Sequence, residues 1–228
     1  MNDDVLSISR ESSSLRSQVS DRLRQAILSG RFPPGAKLVE RELCESLDIS
    51  RTLLREALQH LQAEGLIQIV PHRGPSVASL SAQEARDIYR VRESLEALAG
   101  EGFARHATAQ QMQRLRETLD ALEAIGQPVS TEKLLEAKNR FYSILLEGCG
   151  NSIVGQMLTQ LNNRVTLLRR RSLSQPGRLP QTLAELREIV DALEARDTRR
   201  ARSLCAAHVR KAAQVAAASF VQASNAAK

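Results

Sequence analysis

The stretch "DISRTLLREALQHLQAEGLI", Asp48 to Ile67, constrains this chain more than any other. Leu54, Ala57, Leu58 and Leu61 recur at the spacing of one helical face. Ser50 is a natural N-cap just ahead of them, and Gly65 stops the run. Arg51 and Arg55 are one turn apart, so they share a face roughly opposite the leucines. A helix built this way is anchored on one side and presents two guanidinium groups on the other. An arginine in a DNA major groove can donate two hydrogen bonds to guanine O6 and N7.

The flanking segments supply a setting for such a helix. Residues 1–14 read as a flexible arm. Leu15, Val19, Leu23, Ala26 and Ile27 then predict a first helix, ended by Gly30 and the turn "FPPG". "AKLVE" reads as a short extended piece, and "ERELCESL" as a second helix with Leu43, Cys44 and Leu47 on one side. After the Asp48–Ile67 stretch begins, "LIQIV" and "PSVASL" flank the turn "PHRG". Two helices joined by about three residues, followed by a hairpin, make a winged helix-turn-helix over 15–78. From 79 to 228 the pattern is almost wholly helical. Helices are predicted near 82–106, 108–125, 131–148, 151–172, 181–195 and 197–223. The fold class is therefore mostly α: a winged helix-turn-helix with a small β-hairpin, then an all-α bundle.

Charge sharpens the question of what the first domain binds. The chain carries 32 Lys and Arg against 26 Asp and Glu, a net charge of +6. Basic chains commonly meet nucleic acid. Residues 1–78, however, hold ten basic and ten acidic residues, so the surplus lies entirely in the second part. DNA binding by the first domain then depends on placement: Arg51 and Arg55 with Ser50 and Thr52, Arg41 at the start of the second helix, and His72, Arg73 and Gly74 at the hairpin tip. Any one of these arginines alone is most simply a solvated helix face. The set on one helix-turn-helix-wing plan is not.

Other function classes find little support. There is no Gly-rich phosphate loop, nucleophile elbow or HExxH motif. Cys149 in "EGCGN" has no histidine placed beside it by the sequence and reads as a helix-end cysteine, so no enzyme is expected. Cys44, Cys149 and Cys205 are far apart and suggest a reducing compartment. "MNDDVLSISRESSS" lacks the apolar segment of a secretory signal, and no 18-residue apolar run occurs. A cytoplasmic location without membrane association is the expectation.

The segment "RQAILSGRFPPGAKLVERELCESLDISRTLLREALQHLQAEGLIQIVPHRGPSV" resembles the DNA-binding domain of the GntR family of bacterial transcription factors. The resemblance implies DNA contact by Arg41, Ser50, Arg51, Thr52, Arg55 and the wing around Arg73 and Gly74. Most members have proline where this chain has Leu53. The later segments "IYRVRESLEALAGEGFA", "FYSILLEGCGNSIV" and "LREIVDALEARDTRRARSLCAAH" resemble the FadR-like, all-helical ligand-binding domain of the same family, the FCD type.

FCD-type domains often hold a divalent metal through an Asp, a His four residues later and two further histidines, a donor set suited to zinc. Here Lys138, Tyr142 and Leu186 stand at three of those positions, and only His208 remains. No metal or other cofactor is expected. Arg92, Lys138, Tyr142 and His208 are instead candidates for holding a small organic acid. Arg92 and Glu96 are also placed to pair at i,i+4, and Arg169–Arg171 read as a solvated helix end. The expected protein is a homodimeric regulator, a repressor by resemblance, that reads an inverted repeat in double-stranded DNA under effector control. The alternatives are a metal-dependent sensor with non-standard ligands and a sequence-nonspecific nucleic-acid binder.

Overall fold

The computed structural model describes residues 10–124, 131–173 and 177–226. It divides into two compact units, Met1–Ser79 and Leu80–Lys228.

The first unit contains α1 (Arg10–Leu28), α2 (Glu40–Leu47), α3 (Arg51–Ala63), β1 (Ile67–Val70) and β2 (Gly74–Val77). Helix α1 begins five residues ahead of the expected Leu15, so residues 10–14 of the supposed arm are helical. Its apolar stripe, Val19, Leu23 and Ile27, is buried. Arg24 of α1 donates to Glu64 at 2.9 and 2.6 Å, tying α1 to the end of α3. In α3 the stripe Leu54, Ala57, Leu58 and Leu61 is fully enclosed. Each leucine there contributes roughly 1.5–3 kcal/mol through burial, so three of them dominate the anchoring of the helix. Only Leu43 of α2 is buried; Cys44 and Leu47 are half-buried.

Strands β1 and β2 pair antiparallel, with Ile67 opposite Val77 and Val70 opposite Gly74. The "AKLVE" piece joins this ribbon: Leu38 N–H donates to Pro75 O at 2.9 Å, and Val77 N–H to Ala36 O at 2.9 Å. Pairing on that side gives β2 a neighbour on both edges, which steadies a hairpin too short to stand alone.

The second unit comprises α4 (Ala82–His106), α5 (Ala109–Glu123), α6 (Thr131–Glu147), α7 (Ser152–Leu173), α8 (Arg178–Glu194) and α9 (Thr198–Ala226). Helices α4 and α5 start where the sequence provides caps. Ser81 with Glu84, and Thr108 with Gln111, form reciprocal capping boxes. Helix α8 begins at Arg178 rather than near 181, because a proline, here Pro180, is tolerated in a helix's first turn. Leucine, alanine and phenylalanine from α4–α9 form one large apolar cluster around Phe103, Leu115, Phe141 and Leu186. A second joins α4, α7 and α9 around Tyr89, Leu168 and Val209. No helix among the described residues is long and apolar enough to cross a membrane. The Arg169–Arg171 side chains and residues 125–130, between the helices predicted near 108–125 and 131–148, fall outside the described residues.

Candidate nucleic-acid interface and bundle interior

The outer side of α3 is built by the same periodicity that buries its inner side. Arg51, Thr52, Arg55 and Gln59 are all exposed. Ser50 is the N-cap, its hydroxyl accepting from Leu53 N–H at 3.3 Å. Leu53 therefore leaves the helix start intact without the rigidity of proline at that position.

Two of the arginines are engaged within the domain. Arg55 donates from Nε to both Glu40 carboxylate oxygens at 3.2 Å, and from Nη2 to Oε2 at 3.0 Å. That hydrogen bonding raises the Arg55 pKa. Arg41 lies 3.8 Å from Glu45, one turn on. Glu40 thus brings the start of α2 against the outer side of α3. Val39, the N-cap of α2, supplies no side-chain hydrogen bond to the first-turn amides. Arg51, His72 and Arg73 form no ion pair among the described residues. His72 and Arg73 are exposed at the hairpin tip. The turn there needs positive φ at His72 (63°) and Gly74 (75°). A Cβ on Gly74 would meet nothing within 4 Å. Backbone conformation, not crowding by the protein itself, accounts for this glycine.

The four bundle candidates, Arg92, Lys138, Tyr142 and His208, are all buried. Arg92 Nε donates to Glu96 at 2.7 Å, the i,i+4 pairing expected, but its Nη1 is buried without a hydrogen-bond partner among the described residues. Burial opposes the charge, yet Glu96, Tyr142 and Tyr89 together raise the Arg92 pKa. Lys138 Nζ lies 5.9 Å from the Tyr142 ring centre.

The partners of His208 are not evident from sequence spacing. Its Nδ1 is 2.6 Å from Glu185 Oε2, and Arg178 grips the same carboxylate at 2.7 and 2.8 Å. Burial works against ionisation of Glu185, but hydrogen bonds from His208 and Arg178 more than offset it and hold its pKa at about 2. Burial pushes His208 down to about 4, and the nearby Lys138 charge acts in the same direction. His208 is accordingly neutral near pH 7, with Nδ1–H donating to Glu185. Arg178 Nε and Thr182 Oγ1 are buried without a hydrogen-bond partner among the described residues.

This donor set does not fit a divalent cation. An ammonium, a phenol, an alkyl side chain and one imidazole occupy the four places, and that imidazole is already turned to Glu185. Among the described residues no group of three or more His, Cys, Asp or Glu could hold a metal ion. The chemistry suits an anion better. Among the described residues, Arg92, Lys138 and Arg178 are buried in the bundle together with Glu96 and Glu185.

A winged helix with an exposed arginine face, followed in the chain by an apolar helical bundle that buries a few charged side chains, is the plan of a DNA-binding regulator with a second, helical domain. Residues 15–77 match the family "Bacterial regulatory proteins, gntR family", and residues 87–211 match the FCD domain. The protein belongs to the GntR family of transcriptional regulators, in its FCD-containing branch. It is 31% identical to the HTH-type transcriptional repressor GlaR of Escherichia coli, over 82% of this chain and 89% of that one. With the HTH-type transcriptional regulator YdhC of Bacillus subtilis it shares 27% identity over 84% and 86%. A crystal structure of a GntR regulator from Rhodococcus sp. RHA1 superimposes with a TM-score of 0.77 at 27% identity, covering 89% of this chain and 97% of that one.

Proposed function

We propose that this protein is a cytoplasmic, homodimeric repressor that reads an inverted repeat in double-stranded DNA and has no enzymatic step. The observation that carries the proposal is the outer side of α3, where Arg51, Thr52 and Arg55 stand exposed above a fully enclosed leucine stripe. Arg51 and Arg55 supply base contacts. Ser50, Thr52 and Arg41 serve phosphates, and His72, Arg73 and Gly74 form the wing contact. A two-fold dimer presents two such helices to two half-sites. The name of the similar GlaR supports repression as the outcome.

The effector in this reading is a small organic acid held without a metal. Among the described residues, Arg92 Nη1, Arg178 Nε and Thr182 Oγ1 are buried without a hydrogen-bond partner, which supports an acceptor-bearing ligand. Lys138, Tyr142 and His208 are the further polar groups of this reading, all buried. Occupancy would shift the population of DNA-competent states through its differential affinity for them.

The test starts with DNA selected from a random pool by the full-length protein. Arg55→Ala is expected to lose about 1–3 kcal/mol of preference at one base pair of the selected site. Equal affinity of this variant for selected and random duplexes, matching wild type, would favour a sequence-nonspecific binder instead.

A further inference from the structure

We propose that Glu40 is a specificity-determining residue of the DNA-binding unit: it braces the Arg55 guanidinium so that only its outer edge can meet a base. This rests on the reading of α3 as the recognition helix given above.

A guanidinium has two edges that can each donate a pair of parallel N–H bonds. One runs through Nε and Nη2, the other through Nη1 and Nη2. Glu40 occupies the first edge, with three contacts of 3.0–3.2 Å from Nε and Nη2. The second edge is left for guanine O6 and N7. The two partners differ in enclosure: the Arg55 side chain is 64% exposed, but that of Glu40 only 27%. Glu40 also sits on the first turn of α2, a separate element fastened to the domain by buried Leu43. The acid is therefore the fixed partner and the arginine the one directed.

A carboxylate in this place is otherwise a disadvantage. It adds negative charge where phosphates must approach, and it lowers the attraction of a domain whose formal charge is already balanced. Directing Arg55 offsets that loss. A long side chain held by a second residue forfeits less rotamer freedom when it meets its base, and it is less able to swing toward a phosphate of any sequence. Glu40 thus weakens binding to DNA in general and strengthens discrimination.

The experiment compares affinities of full-length wild type, Glu40→Ala, Glu40→Gln and Arg55→Ala for the selected operator and for a scrambled duplex, at one fixed salt concentration. Thermal melts report folding. Glu40→Ala is expected to bind scrambled DNA as tightly as wild type or tighter, yet lose roughly tenfold in the operator-to-scrambled ratio. Glu40→Gln, which keeps an acceptor but not the charge, should fall between. In an Arg55→Ala background, Glu40→Ala should leave the ratio unchanged. An unchanged ratio in Glu40→Ala overturns the proposal, as does a loss that persists without Arg55 or an equal weakening on both duplexes. The two readings fail separately. If Arg55→Ala lowers the ratio and Glu40→Ala does not, only the bracing role is wrong. If Arg55→Ala itself leaves the ratio unchanged, the reading of α3 falls and the bracing role with it.

Discussion

His208 concentrates the polar chemistry of the bundle in one side chain. Its pKa of about 4 lies below the ordinary 6.5, so the unfolded chain takes up a proton before the folded one does. Its contribution to stability is complete above about pH 6.5 and declines as pH falls toward 4. At pH 5 the loss is about 2 kcal/mol relative to neutral pH. Glu185, held at about 2 against an ordinary 4.5, contributes above its ordinary value and is lost only at lower pH. Thermal melts between pH 7 and 5 should show this decline in wild type and a flatter profile in His208→Gln. Identical slopes in the two proteins would remove His208 as the cause. Residue-level chemistry was only partly legible beforehand. The Arg92–Glu96 pair follows from i,i+4 spacing and was foreseen. The Arg178–Glu185–His208 group was not, because it joins residues seven and 23 positions apart, and Arg178 lies ahead of the helix start expected near 181. The Glu40–Arg55 bond crosses from one helix to another, which no periodicity within either helix reveals.

At the scale of elements, periodicity was a better guide. The four inner residues of α3 follow from the 3.6-residue repeat and prove fully enclosed. The capping boxes at Ser81 and Thr108 place the starts of α4 and α5, since Glu84 and Gln111 stand three residues on. What periodicity does not convey is how closely elements approach. Gly102 of α4 faces the turn after α6, where a Cβ would fall 2.0 Å from the Cys149 carbonyl oxygen. Backbone on both sides leaves nothing flexible to yield. Gly102→Ala is therefore expected to cost about 1–3 kcal/mol of stability despite alanine's better helix propensity. Chemical denaturation would measure it, and a gain in stability would show that the turn after α6 can move aside. The beginning of α8 shows the opposite limit: the start expected near 181 leaves Pro180 outside the helix, yet in a first turn proline continues into it.

For the whole molecule, the two units depend on charge in different ways. A bundle that needs no metal should keep its melting temperature after exhaustive chelation, and elemental analysis of purified protein should find no stoichiometric zinc, nickel or manganese. A fall of several degrees on chelation, restored by one of these ions, would instead establish a metal sensor with non-standard ligands. Among the described residues, three arginines of the DNA-binding unit stand in ion pairs: Arg24 with Glu64 and Asp21, Arg41 with Glu45, Arg55 with Glu40. Each cation that leaves such a pair for a phosphate exchanges one anion for another, so net counterion release is smaller than the number of arginines implies. Residence on arbitrary genomic sequence is correspondingly brief. A few copies per cell can then scan many sites quickly, because little of the population is held up on DNA that carries no operator.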